Sequence, residues 1–333
     1  MSVDWLPTAI VIALAMGFNY TNGFHDAANS VATSVSTRAL TPRVALLLAA
    51  AANLIGALFG TRVAQTVGSG IIDAPHGTTG LTICAAALIG AVSWNLMTWW
   101  RGLPSSSSHA LIGGLGGAAL AAGASVHWSV VLERVVIPML VSPALGLVVG
   151  YAVMTAILWI FRDAAPGRIG RGFRLAQTVS ASAVAFGHGM QDAAKTAGVV
   201  VLALTVGGFH NDVDESVPLW VLALSAVVMS LGTYAGGWRI MRTLGARIID
   251  LDPPRGFAAE VTAASILFVA TALRAPISTT HAITSAIMGA GATRRVRAVR
   301  WAVAADIGWA WLLTFPGAGL LAAAAYLVLA AVT

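Results

Sequence analysis

The chain has 333 residues, 58% of them hydrophobic and 10% charged, with a mean hydropathy of +0.83. A soluble domain carries roughly 25% charged residues, so the composition excludes a water-soluble globular protein. It points to an all-α polytopic membrane protein with spans of about 20 apolar residues. The net charge of +6 does not argue for nucleic acid, because the arginines fall in short runs between apolar segments, where the positive-inside rule puts them.

In chain order the apolar segments fall at about 7–35, 44–66, 81–100, 105–123, 128–161, 175–206, 218–238, 256–273, 277–292 and 301–332. The opening MSVDWLPTAI has no basic n-region and no small-residue cleavage site, so the first span is expected to stay. Arg38 and Arg43 mark the first loop as cytoplasmic, as do the basic stretches at 162–174, 239–255 and 294–300. The loops at 68–80 and 207–216 lack Lys and Arg and read as external. Both termini are therefore expected outside the cytoplasm, in a multi-pass inner (plasma) membrane protein. The stretch 81–123 either crosses twice or forms a re-entrant hairpin with its tip at LPSSSS, and 256–292 poses the same choice. Pro316-Gly317 predicts a kink in the last segment.

The first apolar segment is interrupted by NGFHDAAN (22–29), which puts Asn22, His25, Asp26 and Asn29 at membrane depth. An acid there costs about 2.5–3.5 kcal/mol on insertion scales, so it faces a pathway or a partner. The same pattern returns in GMQDAAKTAG (189–198) with Gln191, Asp192, Lys195 and Thr196. Gly23, and Gly187 and Gly189 in the second copy, predict a locally unwound helix whose freed carbonyls, with the Asn and Asp oxygens, hold a small cation. Lys195 is the chain's single lysine; it either pairs with Asp192 or contacts an anion.

A second motif also recurs: PSSSSHAL (104–111) and PISTTHAI (276–283). Each proline stops a helix. The hydroxyls of Ser105, Ser106, Ser107 and Ser108, and of Ser278, Thr279 and Thr280, then cap the next helix. A capped N-terminus offers unpaired N–H groups and partial positive charge, which is an anion site. The acids are displaced by 166 residues and the histidines of the second motif by 172. Two motifs in the same order at nearly the same displacement, in halves that start on opposite sides, predict two inverted-topology repeats of about five segments each. The boundaries are 1–161, a basic cytoplasmic linker at 162–174, and 175–333. Broken helices are expected at the midplane.

Other residues read more plainly. Cys84 is alone, so it forms neither a disulfide nor a zinc cluster and reads as packing. The runs at 113–123 and 287–292 are small residues for close helix packing; no strand precedes them, so they are not dinucleotide fingerprints. His109 and His281 either bond the helix start or relay protons. His25 and His188 are relay candidates, since histidine titrates near neutral pH. Arg101 and Arg274 are interfacial anchors or anion donors. Glu260, near a loop end, is expected to be solvated, and Asp306 has no assigned role. Trp94, Trp99, Trp100, Trp301, Trp309 and Trp311 fit interfacial belts or dimer packing. Ser108 and His109 are adjacent on a helix and do not face each other, so a hydrolase is not expected.

Taken together, GFHDAANSVAT, HGMQDAAKTAGVV, LPSSSSHALIGG and the P-x-S-T-T-H element resemble the inorganic phosphate transporter (PiT) family. The resemblance covers both halves. It implies import of inorganic phosphate by symport with H+ or Na+, in some members as a metal–phosphate complex, by a protein that is not an enzyme and forms a homodimer in the lipid bilayer. It carries over Asp26, Asn29, Asp192 and Lys195 as site residues, together with the hydroxyls of 105–108 and 278–280. Phosphate contacts are expected from those hydroxyls, Lys195 and Thr196. Cation or proton coupling is expected from Asn22, His25, Asp26, Asn29, Gln191 and Asp192. His25 and Gln191 stand where many relatives have Asn, which weakens the case for sodium. No cofactor, resident metal or nucleic acid is expected. Sulfate or another oxyanion is the alternative substrate; phosphate, which keeps a proton near neutral pH, can donate to a carboxylate, and sulfate cannot.

Overall fold

In the computed structural model the described residues are 5–60, 63–64, 71–210, 217–273 and 275–332, without the side chain of Arg134. Arg274 and the acids of 211–216 lie outside them. The fold is helical. We number the principal helices α1 (Trp5–Ser36), α2 (Pro42–Ala57), α3 (Thr78–Arg101), α4 (Ser107–Ala121), α5 (Ile137–Ile160), α6 (Pro166–Val206), α7 (Leu219–Ala235), α8 (Trp238–Arg242), α9 (Pro253–Ala272), α10 (Thr279–Ala292) and α11 (Trp301–Ala330).

Their ends follow local chemistry. Pro42, Pro166 and Pro253 stand in the first turns of α2, α6 and α9, where a missing N–H costs nothing. Asp252 caps α9 by accepting from the Arg255 N–H at 3.0 Å. Gly102, at φ +66°, ends α3, and the Leu103 N–H donates back to the Thr98 carbonyl. Gly236, at φ +79°, sits at the 57° bend between α7 and the helical run through Arg247.

Among the described residues, α3, α5, α9 and α11 are each long and apolar enough to cross a membrane, and the bent α7–α8 pair makes a fifth candidate. The apolar windows of α5 and α11 are only 22% buried against 61% for α3 and 56% for α9; the first two form the rim and the second two line the interior. Helices α1 and α6 have 32 and 41 residues, which is ample length, but carry the polar motifs in their middles.

The packing is crossed. Helix α1 lies against α7 and α2 against α6, while α4 lies against α11 and α10 against α5. Small residues make these seams. Gly113 and Gly117 of α4 meet the backbone of Phe315 and Gly319, and Gly289 of α10 meets that of Leu147. Helices α3 and α4 form a hairpin joined by the extended segment 103–106, and α9 and α10 a second one joined at 275–278. The open end of the first hairpin is tied by an antiparallel bridge between Ile72 and Val126.

The backbone departs from expectation in several places. Helices α1 and α6 run unbroken through both acidic motifs. The glycines there serve close approach instead: a Cβ on Gly23 would fall 2.9 Å from the Thr233 nitrogen, and one on Gly189 would fall 2.9 Å from the Asn53 Cα. Helix α6 begins at Pro166, so most of the basic linker is helical. Trp311 and Trp94 are half-buried and hydrogen-bonded within the fold, donating to the Pro104 carbonyl at 2.9 Å and to Thr314 Oγ1 at 3.0 Å.

Glu260 is fully buried rather than solvated. It accepts from Thr33 and Ser34 of α1 at 2.5 and 2.6 Å, from Gln177 at 3.2 Å and from Ser180 of α6. It thereby ties α9 to the C-terminal turn of α1 and the first half of α6. Cys84 is buried in the main apolar core, as packing requires. Arg101 is exposed in a cleft with Arg239, Arg242 and Arg247. Asp306 is exposed near the start of α11.

Candidate functional site

Helices α1 and α6 bring both acids to the centre, and the N-termini of α4 and α10 meet them there. Asp26, Asp192 and His188 are all buried, and one ligand atom from each lies within 4.8 Å of the others. His188 Nε2 is 3.2 Å from Asp192 Oδ2 and 3.9 Å from Asp26 Oδ2.

The tautomer of His188 follows from its neighbours. Thr233 donates to the Met229 carbonyl at 3.0 Å, so its oxygen accepts from the Asn53 Nδ2 at 2.8 Å. That turns Asn53 Oδ1 toward His188 Nδ1, 3.1 Å away, and Nδ1 carries a proton. The remaining nitrogen, Nε2, points between two carboxylates. A bare lone pair there would be repelled, so the position suits a cation or a proton. Two carboxylate oxygens and an imidazole nitrogen are also a ligand set for a borderline divalent metal.

The hydroxyl motifs cap as expected. Ser106 Oγ accepts from the His109 N–H and Ser278 Oγ from the His281 N–H, each at 3.2 Å. The two histidine rings touch edge to face at 4.9 Å between centroids, and His281 also lies against Trp311 at 4.0 Å. The two helix starts therefore converge, and their partial positive charges add at one place.

Each acidic motif reaches across to the hydroxyl run of the opposite half. Asn29 Nδ2 donates to Thr279 at 3.2 Å and to Thr280 at 2.9 Å. Lys195, the residue matching Asn29, donates to Ser108 at 2.6 Å, to Asp192 Oδ1 at 2.8 Å and to the Ile277 carbonyl at 2.7 Å. Ser107 donates to Asp26 Oδ2 at 3.4 Å.

The residues preceding the acids are also matched. His25 lies with Nδ1 2.6 Å from Asp26 Oδ1 and Nε2 3.2 Å from Thr98 Oγ1. Ser105 Oγ is 3.3 Å from the same Nε2 and donates to Thr98 at 2.8 Å. Gln191 Nε2 donates to Thr271 at 2.8 Å and to the Ala275 carbonyl at 3.3 Å.

Of the residues singled out in the sequence, His25, Asp26, Ser105, Ser107, Ser108, Asp192 and Lys195 are joined through His188 and Thr98 into one network. Asn29 joins Thr279 and Thr280, Ser106 and Ser278 cap the helix starts, and Gln191 bonds Thr271 and the Ala275 carbonyl. Asn22 is buried, and its Oδ1 accepts no hydrogen bond. Thr196 donates to Asn19 Oδ1 at 3.1 Å, one step outside. Among the described residues, Asn29 Oδ1 and Gln191 Oε1 are buried without a hydrogen-bond donor, and Asp192 Oδ2 has only His188 Nε2 beside it at 3.2 Å, so they remain available to a ligand. Sequence reasoning missed Asn53, Thr233, Thr98 and Thr271. Thr98 and Thr271 had a signal, since each stands shortly before a motif proline; Asn53 had none, being a lone amide in an alanine-rich segment.

A profile described as the phosphate transporter family matches residues 22–322. A probable low-affinity inorganic phosphate transporter of Rhizobium meliloti is 46% identical over 95% of this chain and 94% of its own length. One of Bacillus subtilis is 39% identical over 99% of each chain. One of Mycobacterium tuberculosis is 44% identical over 98% of this chain and 78% of its own length. Among solved structures, one titled the sodium-dependent phosphate transporter superposes with a TM-score of 0.87 at 26% identity, covering 98% of this chain and 100% of that one.

Proposed function

The chain belongs to the phosphate transporter family, and from that premise we propose that it imports inorganic phosphate by symport with a proton through alternating access. It is a multi-pass membrane transporter and not an enzyme. The observation that carries the proton is His25.

Gln191 is the residue equivalent to His25 in the second motif. Its orientation follows from the Ala275 carbonyl, which only accepts, so an N–H points at Thr271, whose own hydroxyl donates to the Leu267 carbonyl at 2.8 Å. Thr98 likewise donates to the Trp94 carbonyl at 3.0 Å, and Ser105 spends its hydrogen on Thr98. His25 Nε2 therefore faces oxygen lone pairs and carries a hydrogen. The other nitrogen, Nδ1, is 2.6 Å from a carboxylate oxygen, a contact that needs a hydrogen as well. We read the His25–Asp26 pair as the place where the coupling proton, one beyond a neutral imidazole and a carboxylate, is held. The charged groups around it are Asp26 itself, His188 behind Asp26, and Asp192 and Lys195 beyond His188. Taking up that proton offsets the Asp26 charge, which would otherwise repel the anion.

Phosphate then binds at the converging N-termini of α4 and α10, through the hydroxyls of 105–108 and 278–280. The Asp26–His188–Asp192 cluster offers ligands for the metal of a metal–phosphate cargo. The crossed packing of α1 on α7 with α2 on α6, and of α4 on α11 with α10 on α5, supports two inverted repeats that rock against each other around the site. The repeats correspond to 1–161 and 175–333, joined at 162–174. The arginine-bearing loops support an orientation with both termini outside the cytoplasm; we assign the protein to the inner membrane, as a homodimer. A sodium-coupled reading draws on the name of the superposed structure; the imidazole at position 25 argues against it, since Na+ prefers oxygen ligands.

Proteoliposomes given a proton gradient and a sodium gradient separately test this. Protons alone should drive labelled phosphate uptake, and His25→Gln, which keeps the N–H toward Thr98 but binds no proton, should lose that drive. Uptake that needs sodium, or an unaltered proton drive in His25→Gln, would overturn the proton assignment. Excess sulfate should compete poorly; strong competition would favour the wider oxyanion reading.

A further inference from the structure

We infer that the Lys195 ammonium is a built-in monovalent cation, standing in one of two matched cation positions, so that each transport cycle draws one cation fewer from solution than the two carboxylates would demand. The inference rests on the symport reading above and assigns its stoichiometry.

Lys195 is 2% exposed and is the only lysine in the chain. Its nitrogen has three oxygens around it: a carboxylate oxygen of Asp192 at 2.8 Å, the Ser108 hydroxyl at 2.6 Å and the Ile277 carbonyl at 2.7 Å. Carboxylate, hydroxyl and carbonyl oxygens together are what a hard cation collects. An ammonium has three hydrogens to donate, and all three are committed to these partners. None is left over to point at an anion, so the role of Lys195 is to neutralise Asp192 rather than to grip phosphate.

The matched position in the first half is occupied differently. Asn29 is neutral and spends its N–H groups on Thr279 and Thr280. Its Oδ1 accepts nothing among the described residues. Asp26 has no tethered, permanently charged cation within ion-pair distance among the described residues; its contacts are the ring nitrogens of His25 and His188 and the Ser107 hydroxyl. One half therefore carries its counter-charge on the chain, and the other takes it from solution. A charge buried without a partner is strongly unfavourable, so a chain with a neutral residue at 195 would have to recruit a second cation before binding an anion.

The ammonium also joins three elements. Asp192 belongs to α6, Ser108 to the first turn of α4, and Ile277 to the extended segment before α10. A free cation in that place would have to leave and return in each cycle. A tethered one keeps both hydroxyl-bearing segments in register while the His25–Asp26 side is emptied and refilled.

The test compares balance points. Proteoliposomes clamped at zero membrane potential receive equal tenfold gradients of H+ and Na+, and the phosphate ratio giving no net flux is found for the wild type, for Lys195→Asn (the residue at the matched position 29) and for Lys195→Arg. A tenfold gradient supplies about 1.4 kcal/mol per cation, so one more cation should raise the balance point of Lys195→Asn by about tenfold over wild type. Lys195→Arg should keep the wild-type value. In parallel, purified Lys195→Asn should bind one more saturable radiolabelled sodium, or release one more proton on neutralisation, than wild type. A Lys195→Asn balance point equal to wild type overturns the inference. If that variant moves no phosphate, unchanged cation and proton binding in the purified protein overturns it as well. Failure of the wild type to move phosphate under any gradient would instead sink the transport reading, and the binding comparison would still judge the inference.

Discussion

Replacing Gly189 with alanine should force α2 away from α6. The added Cβ would stand 2.9 Å from the Asn53 Cα and 3.0 Å from the Ala57 nitrogen, with the Asn53 carbonyl oxygen closer still, whereas 3.4–4 Å is ordinary contact. These are backbone atoms of a helix, so relief requires moving α2 by something on the order of 1 Å, at a cost of about 1–3 kcal/mol for overpacking. Helix propensity acts the other way, favouring alanine by up to about 1 kcal/mol. Gly17, on α1 with nothing within 4 Å of a built Cβ, isolates that second term. Gly17→Ala should therefore melt at or slightly above the wild-type temperature in detergent, and Gly189→Ala below it. The displacement should also reach the site, because Asn53 holds His188 Nδ1 at 3.1 Å. Phosphate uptake by Gly189→Ala should fall while Gly17→Ala transports normally. If Gly189→Ala matched wild type in both melting and uptake, the close-packing account of these glycines would be wrong, and backbone freedom at the motif would return as their explanation.

Other substitutions probe the remaining parts of the design. Asp26→Asn should abolish gradient-driven uptake, because the amide cannot share the His25 proton; full concentrative uptake in that variant would contradict the coupling role of Asp26. Ser106→Ala removes the cap of α4 seen at His109, at a cost of about 1 kcal/mol, and should raise the half-saturating phosphate concentration; an unchanged value would take Ser106 out of the site. Glu260→Ala leaves the donors from Thr33, Ser34, Gln177 and Ser180 buried without an acceptor. At about 1–3 kcal/mol for each donor that finds no water, it should cut the yield of folded protein sharply, and Glu260→Gln should recover most of it. Equal thermal stability of Glu260→Ala and wild type would show that this cluster does not hold α9 in place.

Much of the site was legible because its motifs occur twice. Recurrence at matched displacements singled out Asp26 with Asp192 and the two hydroxyl runs, and helix-capping chemistry put the runs 105–108 and 278–280 at helix starts. Glu260 was misjudged because its distance from a loop says nothing about which helices close over it. The unwound helices expected at Gly23 and Gly189 were also wrong. A glycine in a span is compatible with both a break and a close approach, and only the position of the opposing backbone distinguishes them. Trp311 illustrates the same limit, since nothing in the linear sequence shows that the Pro104 carbonyl lies within its reach.

By itself the sequence determined that the chain is a membrane protein, which family it resembles, and which side chains are too polar for lipid. These depend on composition, on apolar run length and on local motifs, all of which are linear quantities. The tertiary structure decided which of those polar groups meet. It put Asn53, held by Thr233, beside His188, Thr98 and Ser105 beside His25, and Ser108 with Ile277 around the Lys195 nitrogen. Those partners lie tens to hundreds of residues away in sequence, and a proton or a cation responds only to the charges and lone pairs within a few ångströms of it.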